Sequence, residues 1–174
     1  MNKKYFKDFE WIKEVQDAKS LSFASSEKNA SFSLKLKQEF LNILNNFESR
    51  FRISLHTSSK DDLHNMIIGI QKDNFVYPHR HQKSESYHII EGKMALIYFY
   101  DNGDIDNILI LDSNDILVAR VDKDVYHASI ALTDTIYHET RIGPFISQGD
   151  SEFAEWISED KDSYMRSIMK NIKG

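Results

Sequence analysis

The stretch PHRHQKSESYHIIEG, residues Pro78 to Gly92, sets two histidines one residue apart, a glutamate four positions after the second and a glycine seven after that. Side chains alternate faces along a strand, so His79 and His81 point the same way from extended backbone, about 7 Å apart along it. Both imidazoles can then converge on one ion. Seven histidines in 174 residues make an HxH pair by chance about 0.3 times. Requiring Glu85 and Gly92 at their spacings lowers that to below about one in a thousand.

Outward from this stretch the pattern is that of short strands. From Arg50 the period is two: RFRISLH alternates Phe51, Ile53 and Leu55 with Arg52, Ser54 and His56, as a half-buried strand does. Further strand candidates are NMIIGI, FVYPHRH, SYHII, KMALIYFY, IDNILIL, DILVARV, YHASIAL and TIYHETRI, separated by Asp, Asn, Gly and Ser clusters. In YFYDNGDIDNILIL, the Asn102–Gly103 pair can supply the positive φ angles of a tight hairpin turn. About nine short strands with turn signals every 8 to 12 residues predict an antiparallel sandwich or barrel rather than βαβ units.

The ends read as helical. LKLKQEFLNILNNF places Leu36, Phe40, Ile43 and Phe47 on one stripe, and Phe9, Ile12 and Val15 suggest another, with SLSFASSEKNASFS between them as loop. After Pro144, DSEFAEWISEDKDSYMRSIMKNI opens on an Asp/Ser start signal. It carries Phe153, Trp156, Ile157, Tyr164 and Ile168 at helical spacing, predicting one or two helices against the β core. The expected organisation is an N-terminal helical segment (1–47), one barrel (48–147) and a C-terminal helical segment (148–174). That length suits a single domain.

Composition narrows the chemistry. With no cysteine, disulfides, thiolate zinc sites and a cysteine nucleophile are excluded, leaving histidine and carboxylate as the strong transition-metal ligands. A net charge of −5, with lysines spread along the chain, lacks the basic footprint of a nucleic-acid binder. The charged start, MNKKYFKDFEWIKEV, has no apolar stretch of signal-peptide length, and no later window approaches the roughly 20 apolar residues of a membrane span. A cytoplasmic protein with no membrane partner is expected.

HxHx3Ex6G resembles the first metal motif of the cupins, small antiparallel β-barrels of the jelly-roll type in which two histidines, the glutamate and a later histidine hold a metal ion. The resemblance implies His79, His81, Glu85 and, in DKDVYHASIAL, His127 as ligands of one divalent ion: zinc, iron, nickel or manganese. Four positions differ from the usual cupin pattern. Asp122 and Asp124 stand where proline and glycine precede the later histidine, Ala131 stands for an asparagine, and Asp73 replaces the glycine that opens the first motif.

Within the cupins, RFRISLH, YPHRH, YHIIEGKMALIYFYDNG and HETRIGPF, in that order over about residues 49 to 146, are most similar to the WbuC family. Members of that family are typically encoded among genes for O-antigen and related surface-polysaccharide synthesis, and their reaction is not established. The resemblance implies a fold and a metal more firmly than a chemistry, and whether the chain is an enzyme stays open. Three function classes follow: a metal-dependent enzyme acting on a sugar or nucleotide-sugar, an Fe(II)-dependent dioxygenase, and a non-catalytic sugar-binding or regulatory module. Cupins commonly dimerise through sheet edges, so a homodimer is expected.

An activated sugar carries phosphate, which an acidic protein repels unless local cations compensate. Arg52, His56 and Arg141 are the candidates for binding it, each on the polar face of its strand. Tyr137, Glu139 and Arg141 share one face of a late strand, either lining the barrel mouth or forming a surface pair. Glu139 is the candidate general base, or orients Arg141. His88 falls out of phase with Glu85 and reads as structural. His64 and His138 have no partner visible in sequence.

Overall fold

The computed structural model describes residues 4–16, 18, 20–46, 49–146, 150–157 and 160–173. In chain order the elements are β1 (Ile12–Glu14), β2 (Leu21–Ser25), α1 (Leu34–Leu44), β3 (Arg50–Ser54), β4 (Leu63–Ile70), β5 (Phe75–Arg80), β6 (Glu85–Glu91), β7 (Lys93–Phe99), β8 (Ile105–Asp112), β9 (Val118–Val121), β10 (Tyr126–Ala131), β11 (Thr135–Ile142), β12 (Glu152–Phe153) and α2 (Lys161–Lys173). The strands form two sheets, ordered β1-β2-β3-β4-β11-β6-β9 and β12-β5-β10-β7-β8. Every pairing is antiparallel except β2 with β3. The fold is an all-β antiparallel barrel with one helix before it and one after it in the described chain.

Alternation along the strands divides the apolar residues among three cores. Met66, Ile68 and Ile70 of β4 and Tyr87 and Ile89 of β6 face Met94, Leu96 and Leu111 inside the barrel. Phe51 and Ile53 of β3 and Ile67 of β4 turn outward and pack under α1 against Leu36, Phe40 and Leu44. On the second sheet's outer face, Ala95, Ile97, Ala128 and Ile130 receive Met165, Ile168 and Met169 of α2. Each helix therefore covers the outside of one sheet with its apolar stripe. Because Phe51 and Ile53 face the helix, the polar face of β3 is the one left facing inward. The α1 stripe begins after Ser33, whose hydroxyl accepts the Leu36 amide at 3.2 Å as an N-cap. Phe47 lies outside the described residues.

The helical reading of Phe9, Ile12 and Val15, and the loop reading of SLSFASSEKNASFS, need correction. Ile12 opens β1, and Leu21–Ser25 is β2, running parallel to β3 with Phe23 opposite Ile53. The free edge of β3 supplies backbone partners that no local pattern announces, and Phe23 is buried edge-on against Phe6, 4.9 Å between centroids. At the other end Phe153 belongs to β12, paired with His79 of β5, so α2 starts only at Lys161. Here too an open strand edge recruits residues whose spacing suggested helix.

The 98–111 hairpin is present, but Gly103 alone has positive φ (+92°), while Asn102 does not. Gly103 N–H donates to the Tyr100 carbonyl and Tyr100 N–H to that of Asp104, both 2.9 Å, closing a three-residue turn. Where the cupin pattern usually has glycine, Asp73 (φ 67°) and Asp124 (φ 64°) hold left-handed backbone, which aspartate tolerates better than most residues. Asp124 N–H donates to the His81 carbonyl at 2.7 Å, tying the two halves of the pattern together. Gly92 has φ +81°, and a Cβ there would sit 2.2 Å from the Asp134 carbonyl. That is the physical need for glycine at the end of the opening stretch.

Candidate metal centre and adjoining cavity

His79 on β5 lies directly across the ladder from His127 on β10, and His81 follows two residues on along the same face. Glu85 opens β6 on the facing sheet. One ligand atom from each of these four side chains lies within 4.8 Å of the others. Nitrogen and oxygen ligands of one transition-metal ion, at about 2.0–2.2 Å from it, are at most about 4.4 Å apart. The four side chains are thus nearly converged, and all four are buried.

Each imidazole is oriented by a backbone carbonyl. His79 Nδ1 lies 2.8 Å from Tyr77 O, His127 Nδ1 3.0 Å from Val125 O, and His81 Nδ1 2.5 Å from Asp150 O. Carbonyls only accept, so each Nδ1 carries the proton and donates it, and each Nε2 lone pair is left facing the others. Arg141 Nη2 is also 3.1 Å from His81 Nδ1. With that nitrogen already donating at 2.5 Å, the Asp150 carboxylate, 2.5 Å from Nη2, is what holds Arg141.

Glu85 Oε1 accepts from the Tyr87 hydroxyl at 3.0 Å and lies 2.7 Å from His127 Nε2. A lone pair facing a carboxylate at that distance is repulsive unless a proton or a cation lies between them. Glu85 Oε2 is buried without a hydrogen-bond partner, 3.4 Å from Arg141 Nε and 3.6 Å from His81 Nε2. An orphaned carboxylate oxygen beside three inward Nε2 atoms fits a divalent ion.

The electrostatics favour the ligating forms of His79, His81 and Glu85. Burial, reinforced by His127 and His81, pushes His79 down to about 3, and burial likewise lowers His81. Burial alone would raise Glu85, but the neighbouring His127, His81 and Arg141 outweigh it and hold the carboxyl at about 2. Neutral imidazoles and an ionised carboxylate are the forms that ligate.

Beside the cluster is a cavity of about 160 Å³. Arg50, Arg52, Glu139 and Arg141 line it together with His79 and His81, and Tyr87, Tyr137 and Ile68 form its inner wall. Glu139 is the cross-strand partner of Tyr87, and Arg141 that of Glu85. Burial and the Glu85 charge raise Glu139 to about 7, against the pull of the three arginines.

Of the residues read from sequence, His79, His81, Glu85 and His127 are gathered in the cluster, and Arg52, Glu139 and Arg141 in the cavity. His56 does not reach it. Its ring stacks on His64 at 4.1 Å, its Nδ1 sits 3.2 Å from the Asn65 amide, and it lines a separate depression that also touches Arg52. His88 is exposed on the outer face, and His138 Nε2 lies 2.9 Å from Asn65 Oδ1.

Sequence reasoning missed Tyr87, which strand alternation from Glu85 would have found. It also missed Asp150, Ser151 and Phe153. Asp150 orients His81 and holds Arg141, Ser151 Oγ lies 3.3 Å from His81 Nδ1, and the Phe153 ring is 5.9 Å from that of His79. Their stretch carried a helical pattern, so nothing local marked it as a wall of the site.

A family described as a domain of unknown function, DUF6016, matches residues 42–111. No curated protein matches the chain. Among solved structures, the salicylate 1,2-dioxygenase from Pseudoaminobacter salicylatoxidans in complex with gentisate is 12% identical with a TM-score of 0.51, over 65% of this chain and 33% of that one. A cupin superfamily protein from Desulfitobacterium hafniense is 15% identical with a TM-score of 0.46, over 54% and 77%. KdgF from Halomonas sp. is 14% identical with a TM-score of 0.46, over 56% and 82%. The chain spans about a third of the length of the dioxygenase. Among the described residues, no helix is long and apolar enough to cross a membrane. At these identities the likeness is one of fold, and the fold is a cupin barrel with a buried His/Glu cluster that can hold a metal ion.

Proposed function

We propose that His79, His81, Glu85 and His127 hold one divalent transition-metal ion, and that the cavity beside it takes a sugar-type substrate in surface-polysaccharide biosynthesis of the O-antigen kind. The observation that carries the metal is the set of three Nδ1–H groups donated to carbonyls, which leaves three Nε2 lone pairs turned inward beside a Glu85 carboxylate with one oxygen lacking a hydrogen-bond partner. The polysaccharide setting rests on the likeness of RFRISLH, YPHRH and HETRIGPF to the WbuC family.

A bound ion of this kind supplies Lewis-acid polarisation of a carbonyl or hydroxyl oxygen. The chain's own residues do the rest. Glu139, raised to about 7, holds or accepts a proton in the cavity at neutral pH. Tyr87 hydrogen-bonds Glu85 Oε1 and so orients that carboxylate. Ligand pockets for drug-sized molecules run to about 300–1,000 Å³, so about 160 Å³ suits one sugar-sized moiety. A nucleotide would lie outside, at the mouth where Arg52 is exposed. We place this work in the cytoplasm, in a homodimer joined through sheet edges, which light scattering at micromolar concentration checks.

The test is metal analysis of the purified chain, with about one ion per chain expected and its loss on changing His79 and His81 together to alanine. A metal-free wild type that folds unchanged and takes up no added ion removes the reading. Turnover of sugar phosphates or nucleotide sugars by the loaded chain supports an enzyme. Fe(II)-dependent oxygen uptake points instead to a dioxygenase, and tight sugar binding without turnover to a binding module.

A further inference from the structure

The three arginines lining the cavity are not equivalent. Arg141 is held on both sides, Nε by Glu85 and Nη2 by Asp150. Arg50 and Arg52 sit two residues apart on the inward face of β3, and among the described residues neither is in salt-bridge distance of a carboxylate. Two like charges on one strand face repel. The cavity carboxylate near them, Glu139, is outnumbered.

Formal charges sharpen the point. Arg50, Arg52 and Arg141 cancel Glu85, Asp150 and Glu139, so the protein's own charges at the site sum to zero at full ionisation. A divalent cation on the histidine cluster leaves two positive charges uncompensated inside a small, partly closed cavity. Charge excess of that kind is costly where water is scarce, and a ligand of matching charge removes it.

Resting on the metal reading above, we infer that the metal-loaded cavity binds a small dianion of oxygen acids, with Arg50 and Arg52 gripping its charged group. Guanidinium forks suit both phosphate and carboxylate oxygens. That chemistry is shared by sugar phosphates and small dicarboxylic acids. The anion-binding pair is then Arg50 with Arg52, and Arg141 serves as a positioning residue between Glu85 and Asp150.

Calorimetric titration of the full, zinc-loaded chain at about pH 8, where a phosphate monoester is a dianion, tests this with glucose 6-phosphate, malonate, acetate and glucose as probes. One of the two dianions is expected to bind at least ~10-fold tighter than acetate or glucose, about 1.4 kcal/mol. Preference for glucose 6-phosphate identifies a phosphate ester as the ligand type, and preference for malonate a dicarboxylate. The Arg50→Gln/Arg52→Gln double variant should lose at least ~10-fold in dianion affinity at unchanged zinc content, while Arg52→Lys, which keeps the charge, should retain most of it. Dianions bound no tighter than acetate by a chain holding one zinc, or equal binding by the zinc-loaded double variant, overturns this inference alone. A wild-type chain that takes up no divalent ion overturns it together with the metal reading.

Discussion

His81 Nδ1 lies 2.5 Å from the backbone carbonyl of Asp150, a residue 69 positions further along the chain. The same residue's carboxylate is 2.5 Å from Arg141 Nη2, so one residue orients a candidate ligand and restrains the cation behind it. Partners at this remove from a metal typically contribute 10–100-fold to its affinity. Asp150→Ala keeps the carbonyl but frees Arg141 to move against His81 and Glu85. Zinc affinity is expected to fall about 10-fold, and less in Asp150→Asn, which keeps an acceptor. Competition titration against a chromophoric chelator reads this, and equal affinity in wild type and Asp150→Ala would show that the Arg141 contact is idle.

Metal binding should stabilise the fold, because its four ligands come from β5, the turn after it, β6 and β10 and meet only in the native barrel. At an ion concentration 100 times Kd the gain is about 2.7 kcal/mol. For a chain of this size that raises the midpoint by roughly 5–10 °C. Thermal unfolding with zinc and then with excess chelator measures it. The shift should vanish in Glu85→Gln, and a shift that survives there would place the ion elsewhere.

Glu139 gives the metal-free chain a pH dependence of definite sign. Its folded pKa, raised to about 7 from 4.5, means the native state holds this proton where the unfolded state releases it. Stability from this group is therefore full below about pH 4.5 and is lost as pH rises through 7. The loss is on the order of 3 kcal/mol. Glu139→Gln, which is neutral throughout, should remove this part of the decline between pH 5 and 8 in urea unfolding. Parallel pH profiles for variant and wild type would contradict it.

Gly92→Ala should destabilise the chain by roughly 2–4 kcal/mol. It combines the left-handed backbone at φ +81° with a Cβ only 2.2 Å from the Asp134 carbonyl. Urea unfolding checks this at unchanged slope. A loss under about 0.5 kcal/mol would mean the 92–93 and 134–135 backbones separate easily.

The sequence by itself determined what short-range periodicity can carry. Alternation at RFRISLH, KMALIYFY and TIYHETRI marks strands, and the one-residue gap of PHRH turns His79 of β5 and His81, just past its end, to the same side. These features repeat every two residues, so no distant partner is needed to see them.

Tertiary structure decided the rest, because it depends on which strand edges and faces were left open. β2 and β12 are short, their spacing permits other readings, and they are strands because β3 and β5 offer unpaired edges. Arg50 and Arg52 face the cavity because α1 claims Phe51 and Ile53, reversing the usual expectation that a strand's apolar side points into its barrel. Arg141 is tied to Asp150 and Glu85, and His56 stacks on His64 away from the cavity, through contacts between segments remote in sequence. Periodicity says which side chains share a face, and only the packing of one element on another says what that face meets.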